Sequence, residues 1–264
     1  MIGIFDSGVG GMTVAHAIAR ALPGYRFVYF GDVARTPYGS KSPETIAKYA
    51  RENTQFLIDK GARAIIVACN TAASIAAEAL RAEFDLPIFD VIGPAVEKVS
   101  QLAQTDPGKT RRVGVIGTRA TVTSGVYDRL IRAACPGLDV VSQECPLLVP
   151  LVEEGWLDKR ETKMILRRYL HPVKAAQVQA LVLGCTHYPL LKHLITPRIG
   201  RRVQVIDSSE EVAATLRRFL DEFPEEAARL ERGDAHEFYV SDVTEAAMAT
   251  ARRIFGRPIE LVKS

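Results

Sequence analysis

Two short stretches bring together residue types that do chemistry. Ile65-Ile66-Val67-Ala68-Cys69-Asn70-Thr71-Ala72 and Leu181-Val182-Leu183-Gly184-Cys185-Thr186-His187 each run an apolar segment into a cysteine. Within two residues each cysteine is followed by a hydroxyl (Thr71, Thr186) and a polar hydrogen-bonding group (Asn70, His187). A lone cysteine after an apolar run is most often a core residue. The duplication, with company ill suited to core packing, points instead to a site. Two thiols facing one another suit a reaction in which a proton leaves one face of a carbon and arrives on the other, because a base must wait on each side. That reaction is racemisation or epimerisation. A thiol is apt for it, since an ordinary value near 8.5 can be tuned towards neutrality, leaving one cysteine as thiolate and the other protonated. A disulfide exchanger would hold its pair in one C-x-x-C turn, and a covalent nucleophile needs only one thiol.

Parallel strands would place both cysteines together. Apolar runs of four to six residues alternate with stretches of helical period, which predicts α/β architecture with strands buried on both faces. The expected strands are 2–5, 27–31, 64–68, 88–91, 112–116, 139–143, 180–183 and 203–207, with helices over 13–21, 42–60, 71–83, 123–134, 159–171 and 209–223. In such a sheet the ligand crevice lies just past the carboxyl ends of the strands, where a following helix offers free N–H groups. Turn-rich junctions at 104–109 and 196–200 bracket a second half that echoes the first. Val113-Gly114-Val115-Ile116-Gly117-Thr118 opens it as Ile2-Gly3-Ile4-Phe5-Asp6-Ser7 opens the chain. Cys69 follows Gly3 by 66 residues, and Cys185 follows Gly114 by 71. The expectation is two doubly wound, mostly parallel domains related by a pseudo-twofold axis, with the site in the cleft between them. Residues 1–95 plus 207–264 would form the first domain and 96–206 the second.

Other features narrow the choice. The 264 residues are 47% hydrophobic and 25% charged, with net charge +3, as in a soluble globular protein. The Arg-Arg pairs are scattered without interleaved aromatics, which predicts no nucleic-acid partner. No apolar run reaches membrane-spanning length and no signal segment is recognisable, so the expected location is the cytoplasm, without membrane association. Cys135 and Cys145 lack hydroxyl or histidine neighbours and read as packing residues; no structural metal site or disulfide is expected. Asp6-Ser7-Gly8-Val9-Gly10-Gly11 is glycine-rich, but Thr13 replaces the third glycine of a dinucleotide fingerprint, leaving an ordinary tight turn as the simplest reading. Gly108-Lys109-Thr110 precedes a strand and is no phosphate-binding loop. Asp6 beside Ser7 is either a ligand for a substrate ammonium or local backbone satisfaction. His187, two residues from Cys185, would favour a thiolate there as imidazolium.

GIFDSGVGG (3–11), YFGDVARTPYG (29–39), ACNTA (68–72), PLLVPLVEEG (146–155) and LGCTHYPLL (183–191) together closely resemble the glutamate racemases, which supply D-glutamate for bacterial peptidoglycan. The likeness spans residues 2–210, with little in the terminal 50. It implies a cofactor-independent two-base reaction on glutamate, bound between two α/β domains of a homodimer. By the same resemblance Cys69 and Cys185 are the catalytic thiols. Asp6 and Ser7 match the first-strand site pair, Asp6 assisting one thiol. Tyr38 and Gly39 match a substrate loop. Asn70, Thr71 and Thr186 match substrate ligands, His187 matches an assistant of the second thiol that also borders the substrate, and Glu153 matches a further acidic helper. From the residues alone, Tyr38 is a turn aromatic and Glu153-Glu154 a solvated helix start. Three rivals stay open: a racemase of aspartate or another acidic amino acid, a cysteine hydrolase using Cys185 and His187, and a non-catalytic amino-acid binder. Aspartate racemases usually carry glutamate where this chain has His187, and a hydrolase leaves the second cysteine turn unexplained.

Overall fold

In the computed structural model, which describes residues 1–105 and 110–264, ten strands form two sheets. The first sheet contains β1 (Ile2–Asp6), β2 (Phe27–Gly31), β3 (Ala64–Val67) and β4 (Ile88–Asp90), with β9 (Glu237–Val240) and β10 (Val262–Lys263) added at one edge. The second contains β5 (Arg112–Gly117), β6 (Asp139–Glu144), β7 (Ala180–Gly184) and β8 (Gln204–Asp207). Every named strand pair is parallel. β1, β2, β3 and β7 are buried along their whole length, which is why they are continuous apolar runs without alternation.

The duplication read from the sequence is a duplication of topology. The first sheet is ordered β10-β9-β2-β1-β3-β4 and the second β6-β5-β7-β8. Strip the two edge strands, and each has its second strand, first, third and fourth side by side. β3 and β7 therefore occupy equivalent places, and each hands the chain to a cysteine. Near the end of the chain, β9 joins the first sheet by pairing with β2.

Helices follow the predicted spacing with instructive exceptions. The helix Pro43–Asp59 begins where Ser42 accepts a hydrogen bond from Thr45 N at 3.3 Å and Pro43 fills the first turn. One helix was expected over 123–134, but the chain forms Arg119–Thr123 and Val126–Ala134, because Gly125 between them is left-handed at φ +63°. The expected junction at 196–200 is helical instead: Lys192–Ile199 contains Pro197 and stops at Gly200, φ +128°. Similarly Arg160–Ala175 runs through Pro172, past the expected end at His171. The other expected junction, 104–109, falls largely on 106–109, outside the described residues.

Candidate active site

Four strand ends converge on one cleft. Past β1 stands Ser7, past β3 Cys69, Asn70 and Thr71, past β5 Thr118, and past β7 Cys185, Thr186 and His187; with Tyr38 and Gly39 they line one tight cleft with a free volume of about 20 Å3. A roomier surface groove, about 670 Å3, lies beside Gln55, Arg63, Glu83 and Arg229 but holds neither cysteine nor histidine. The chemistry resides in the smaller space.

Cys69 caps the helix Asn70–Glu83. Its sulfur accepts from Ala72 N at 3.5 Å and donates to Ser7 Oγ at 3.5 Å. Burial, and next the neighbouring Asp6 carboxylate, push this thiol up to about 12, although the Ser7 hydroxyl and the Ala72 N–H pull the other way. The shift is upward because burial in a dry interior, and then the Asp6 carboxylate behind it, both disfavour the thiolate, as suits the thiol of the pair that stays protonated.

Cys185 has different company. Its sulfur lies 3.8 Å from His187 Nδ1, and the opposite ring nitrogen, Nε2, meets Glu153 Oε1 at 3.2 Å. Burial disfavours charge on His187, yet its hydrogen bonds to Cys185 and Glu153 outweigh that and raise the imidazole to about 10. At neutral pH the ring is an imidazolium facing the Cys185 sulfur. Glu153 ends the helix Leu148–Glu153 instead of starting one, which aims it back at His187.

Asp6 and Glu153 do not line the cleft; each stands one layer behind it. Asp6 is fully buried, accepts from Gly8 N at 3.1 Å and from Thr186 Oγ1 at 3.3 Å, and is held above its ordinary value by burial, against the opposing pull of His187 and the backbone N–H groups of Gly11 and Gly8. The other residues singled out in the sequence, Ser7, Tyr38, Gly39, Asn70, Thr71, Cys69, Cys185, Thr186 and His187, all border the cleft.

The glycine-rich turn has a different purpose from the one its sequence suggests. Gly8, Gly10 and Gly11 are not among the positive-φ residues, so a tight turn does not require them. Proximity does. A Cβ on Gly10 would stand 2.4 Å from the His187 ring and 2.7 Å from Thr186 Oγ1, and one on Gly11 would stand 2.4 Å from Asp6 Cβ. Bare backbone here lets the second half of the molecule close against the first. Thr13 completes the seam by donating to Thr186 O at 3.0 Å.

Several functional candidates escaped sequence reasoning. Thr118 and Thr121 meet Thr71 through hydroxyl contacts of 2.9 and 3.3 Å, joining the two halves at the cleft wall. A signal for Thr118 existed, since it occupies the position in the second half that Ser7 occupies in the first. Asp32 is fully buried and accepts from Tyr38 Oη, from Ser241 Oγ at 3.1 Å and from Arg35 Nε at 2.7 Å. Asn53 donates to Tyr38 Oη at 3.0 Å. The Tyr38 hydroxyl is thereby engaged away from the substrate space, and the loop is anchored to the strand β9 end through Ser241. Among the described residues no cluster of three or more His, Cys, Asp or Glu side chains is arranged to hold a metal ion. No helix of the described residues is long and apolar enough to cross a membrane. Cys145 is buried and Cys135 half-buried, and neither borders the cleft.

Residues 7–216 match the family described as Asp/Glu/hydantoin racemase. The chain belongs to that family. It is an amino-acid racemase, and within the family its likeness is to the glutamate racemases. The glutamate racemase of Geobacter metallireducens is 43% identical over 255 residues, covering 97% of this chain and 92% of its own. Among solved structures, glutamate racemase RacE1 of Bacillus anthracis superposes with a TM-score of 0.92 at 33% identity, covering 100% of this chain and 97% of that one. The Francisella tularensis glutamate racemase, solved in complex with D-glutamate, gives 0.89 at 34% identity, covering 100% and 96%. The resemblance read from the motifs was confined to residues 2–210; these racemases match the tail as well.

Proposed function

We propose that this racemase interconverts L- and D-glutamate without a cofactor, by a two-base reaction in which Cys69 and Cys185 work on opposite faces of the substrate α-carbon. The observation that carries the reading is the equivalence of the two cysteines: each follows the third strand of a sheet with the same strand order, and both border one small cleft. The domain division that suits this is 1–95 plus 207–264 against 96–206.

The asymmetry between the thiols supplies a starting state. Cys69, pushed up to about 12, keeps its proton and is the acid; Cys185 beside the His187 imidazolium is the thiolate base. Cys185 takes the α-proton, negative charge develops on the α-carbon and its carboxylate, and Cys69 delivers its proton from the other side. The enzyme is left with Cys69 as thiolate and Cys185 as thiol, ready for the reverse direction. Removing an α-proton is affordable only where donors are already in place for the developing charge. Asn70 Nδ2, buried and without a partner among the described residues, grips the substrate carboxylate in ground state and transition state alike, and Thr71 and Thr186 line the same cleft. Ser7 shares a hydrogen bond with Cys69, Asp6 positions Thr186, and Glu153 holds the imidazolium. Tyr38 and Gly39 form the opposite wall.

The names borne by its relatives support glutamate as substrate; the reading adds a cytoplasmic homodimer that supplies D-glutamate for peptidoglycan. The test is the circular dichroism of L-glutamate on incubation with the protein: the signal should decay to zero as the racemate forms, with no product other than D-glutamate, while L-aspartate keeps its signal. A persistent L-glutamate signal with folded protein rejects the reading, and loss of the aspartate signal instead makes it an aspartate racemase.

A further inference from the structure

Tyr127 belongs to the helix Val126–Ala134 in the second half of the chain, yet its side chain touches the turns that carry both cysteines. Its hydroxyl donates to Asn70 Oδ1 at 2.7 Å, one residue beyond Cys69. Its ring lies against Gly184, one residue before Cys185: a Cβ there would stand 3.3 Å from Tyr127 Cε2. The side chain is fully buried, and burial, followed by the charges of Asp90 and Cys185, holds its hydroxyl well above the ordinary tyrosine value, so it is a donor at all working pH.

A primary amide can flip, exchanging its oxygen and its NH2. Here the flip is costly. The phenol carries one proton, and with Asn70 reversed that buried proton would face an NH2, which accepts nothing. The orientation in which Asn70 Oδ1 receives the phenol proton is therefore the one the site retains, and it commits the NH2 to the other side. That NH2 is the buried donor that lacks a partner.

We propose that Tyr127 is a positioning residue for the racemase reaction: its hydroxyl fixes the Asn70 amide so that the NH2 is presented to a substrate carboxylate, while its ring braces the Gly184-Cys185 turn. Tyr127 does not itself border the cleft, so it acts through Asn70. The inference rests on the glutamate racemase reading, and the two fail separately.

Tyr127→Phe keeps the ring and removes the donor. Its KM for glutamate should rise about 10-fold, the order expected when one hydrogen bond to a charged group is lost, with kcat changed less than about 3-fold. Asn70→Asp removes the NH2 but keeps an acceptor for Tyr127, so its KM should rise at least as far, and adding Tyr127→Phe to it should raise KM no further. A wild-type KM in either single variant overturns the proposal. So does a fall in kcat with KM unchanged in Tyr127→Phe, or a Tyr127→Phe penalty of full size in the Asn70→Asp background. Should Asn70→Asp leave no measurable turnover, the split between KM and kcat in Tyr127→Phe decides alone; should Tyr127→Phe fail to fold, the Asn70→Asp KM decides. Wild-type protein inert towards glutamate defeats the functional reading instead.

Discussion

The imidazole Nδ1 of His187 lies 3.8 Å from the sulfur of Cys185, whereas the sulfur of Cys69 has the Ser7 hydroxyl as its neighbour at 3.5 Å. Two turns that are equivalent in topology thus differ in charge. A base and an acid of the same residue type are distinguished by what stands beside them.

That difference sets a pH dependence. His187 is raised to about 10 from its ordinary value near 6.5, so the imidazolium persists through neutral pH and is lost as pH rises through about 10. Turnover should fall over that range. Because the folded value is the higher one, the stabilisation that His187 contributes is complete below its ordinary value and disappears as pH rises through about 10. Thermal melts from pH 7 to 10.5 should decline accordingly. In Glu153→Gln, which removes one of the two partners that raise the imidazole, both declines should begin at lower pH; unchanged profiles would deny Glu153 this role.

Gly10 has no room for a methyl group. Gly10→Ala would place a carbon 2.4 Å from the His187 ring, so either the seam opens or the imidazole moves away from Cys185. Overpacking of this kind costs about 1–3 kcal/mol. A lower melting temperature together with at least a ~10-fold fall in kcat/KM is expected, the latter from misplacement of a catalytic group. Gly24→Ala makes a useful control, since nothing lies within 4 Å of its Cβ, though its φ of +83° brings a local strain of its own.

Asp32 governs the Tyr38 loop from behind. In Asp32→Asn the Arg35 guanidinium loses its buried carboxylate partner and Tyr38 Oη loses a charged acceptor. Hydrogen bonds to charged groups are worth about 1.5–3 kcal/mol, and Arg35 is partly exposed, so denaturant melts should lose about 2 kcal/mol. KM should rise more than kcat falls, because the loop borders the cleft without bearing either thiol. A variant with normal KM would sever Asp32 from substrate binding.

Both thiols come from one chain. Cys69→Ser and Cys185→Ser should each reduce racemisation by about 1000-fold or more, within the range general acid–base groups contribute. Mixing the two variants should restore nothing. Recovery on mixing would mean that the working cleft takes a residue from a second chain.

Much of the site was legible because parallel strands buried on both faces leave a plain signature, and the residue at which the apolar run stops is the residue at the crevice. Cys69 and Cys185 are of this kind. Thr118 was equally legible in principle, being the counterpart of Ser7, but a threonine after a glycine carries no chemical signal of its own. Asp32 and Tyr127 were not legible: Asp32 acts through Tyr38, which the fold of their shared loop turns back onto it, and Tyr127 through Asn70, which only tertiary packing brings near. The glycines at 8, 10 and 11 suggested a turn because sequence shows local flexibility and hides the neighbours that crowd them: Thr36 at Gly8, the His187 ring at Gly10 and Asp6 at Gly11. Prolines at 172 and 197 look like stops, yet tertiary packing carries both helices past them.

The most direct test of the two-base scheme is the early-time fate of the α-proton in D2O. Starting from either enantiomer of glutamate, the first product molecules should carry deuterium at the α-carbon while the remaining substrate stays protiated, because the thiol that delivers is not the one that removed. Deuterium appearing equally early in recovered substrate and in product would mean that one base serves both faces, and would contradict the account.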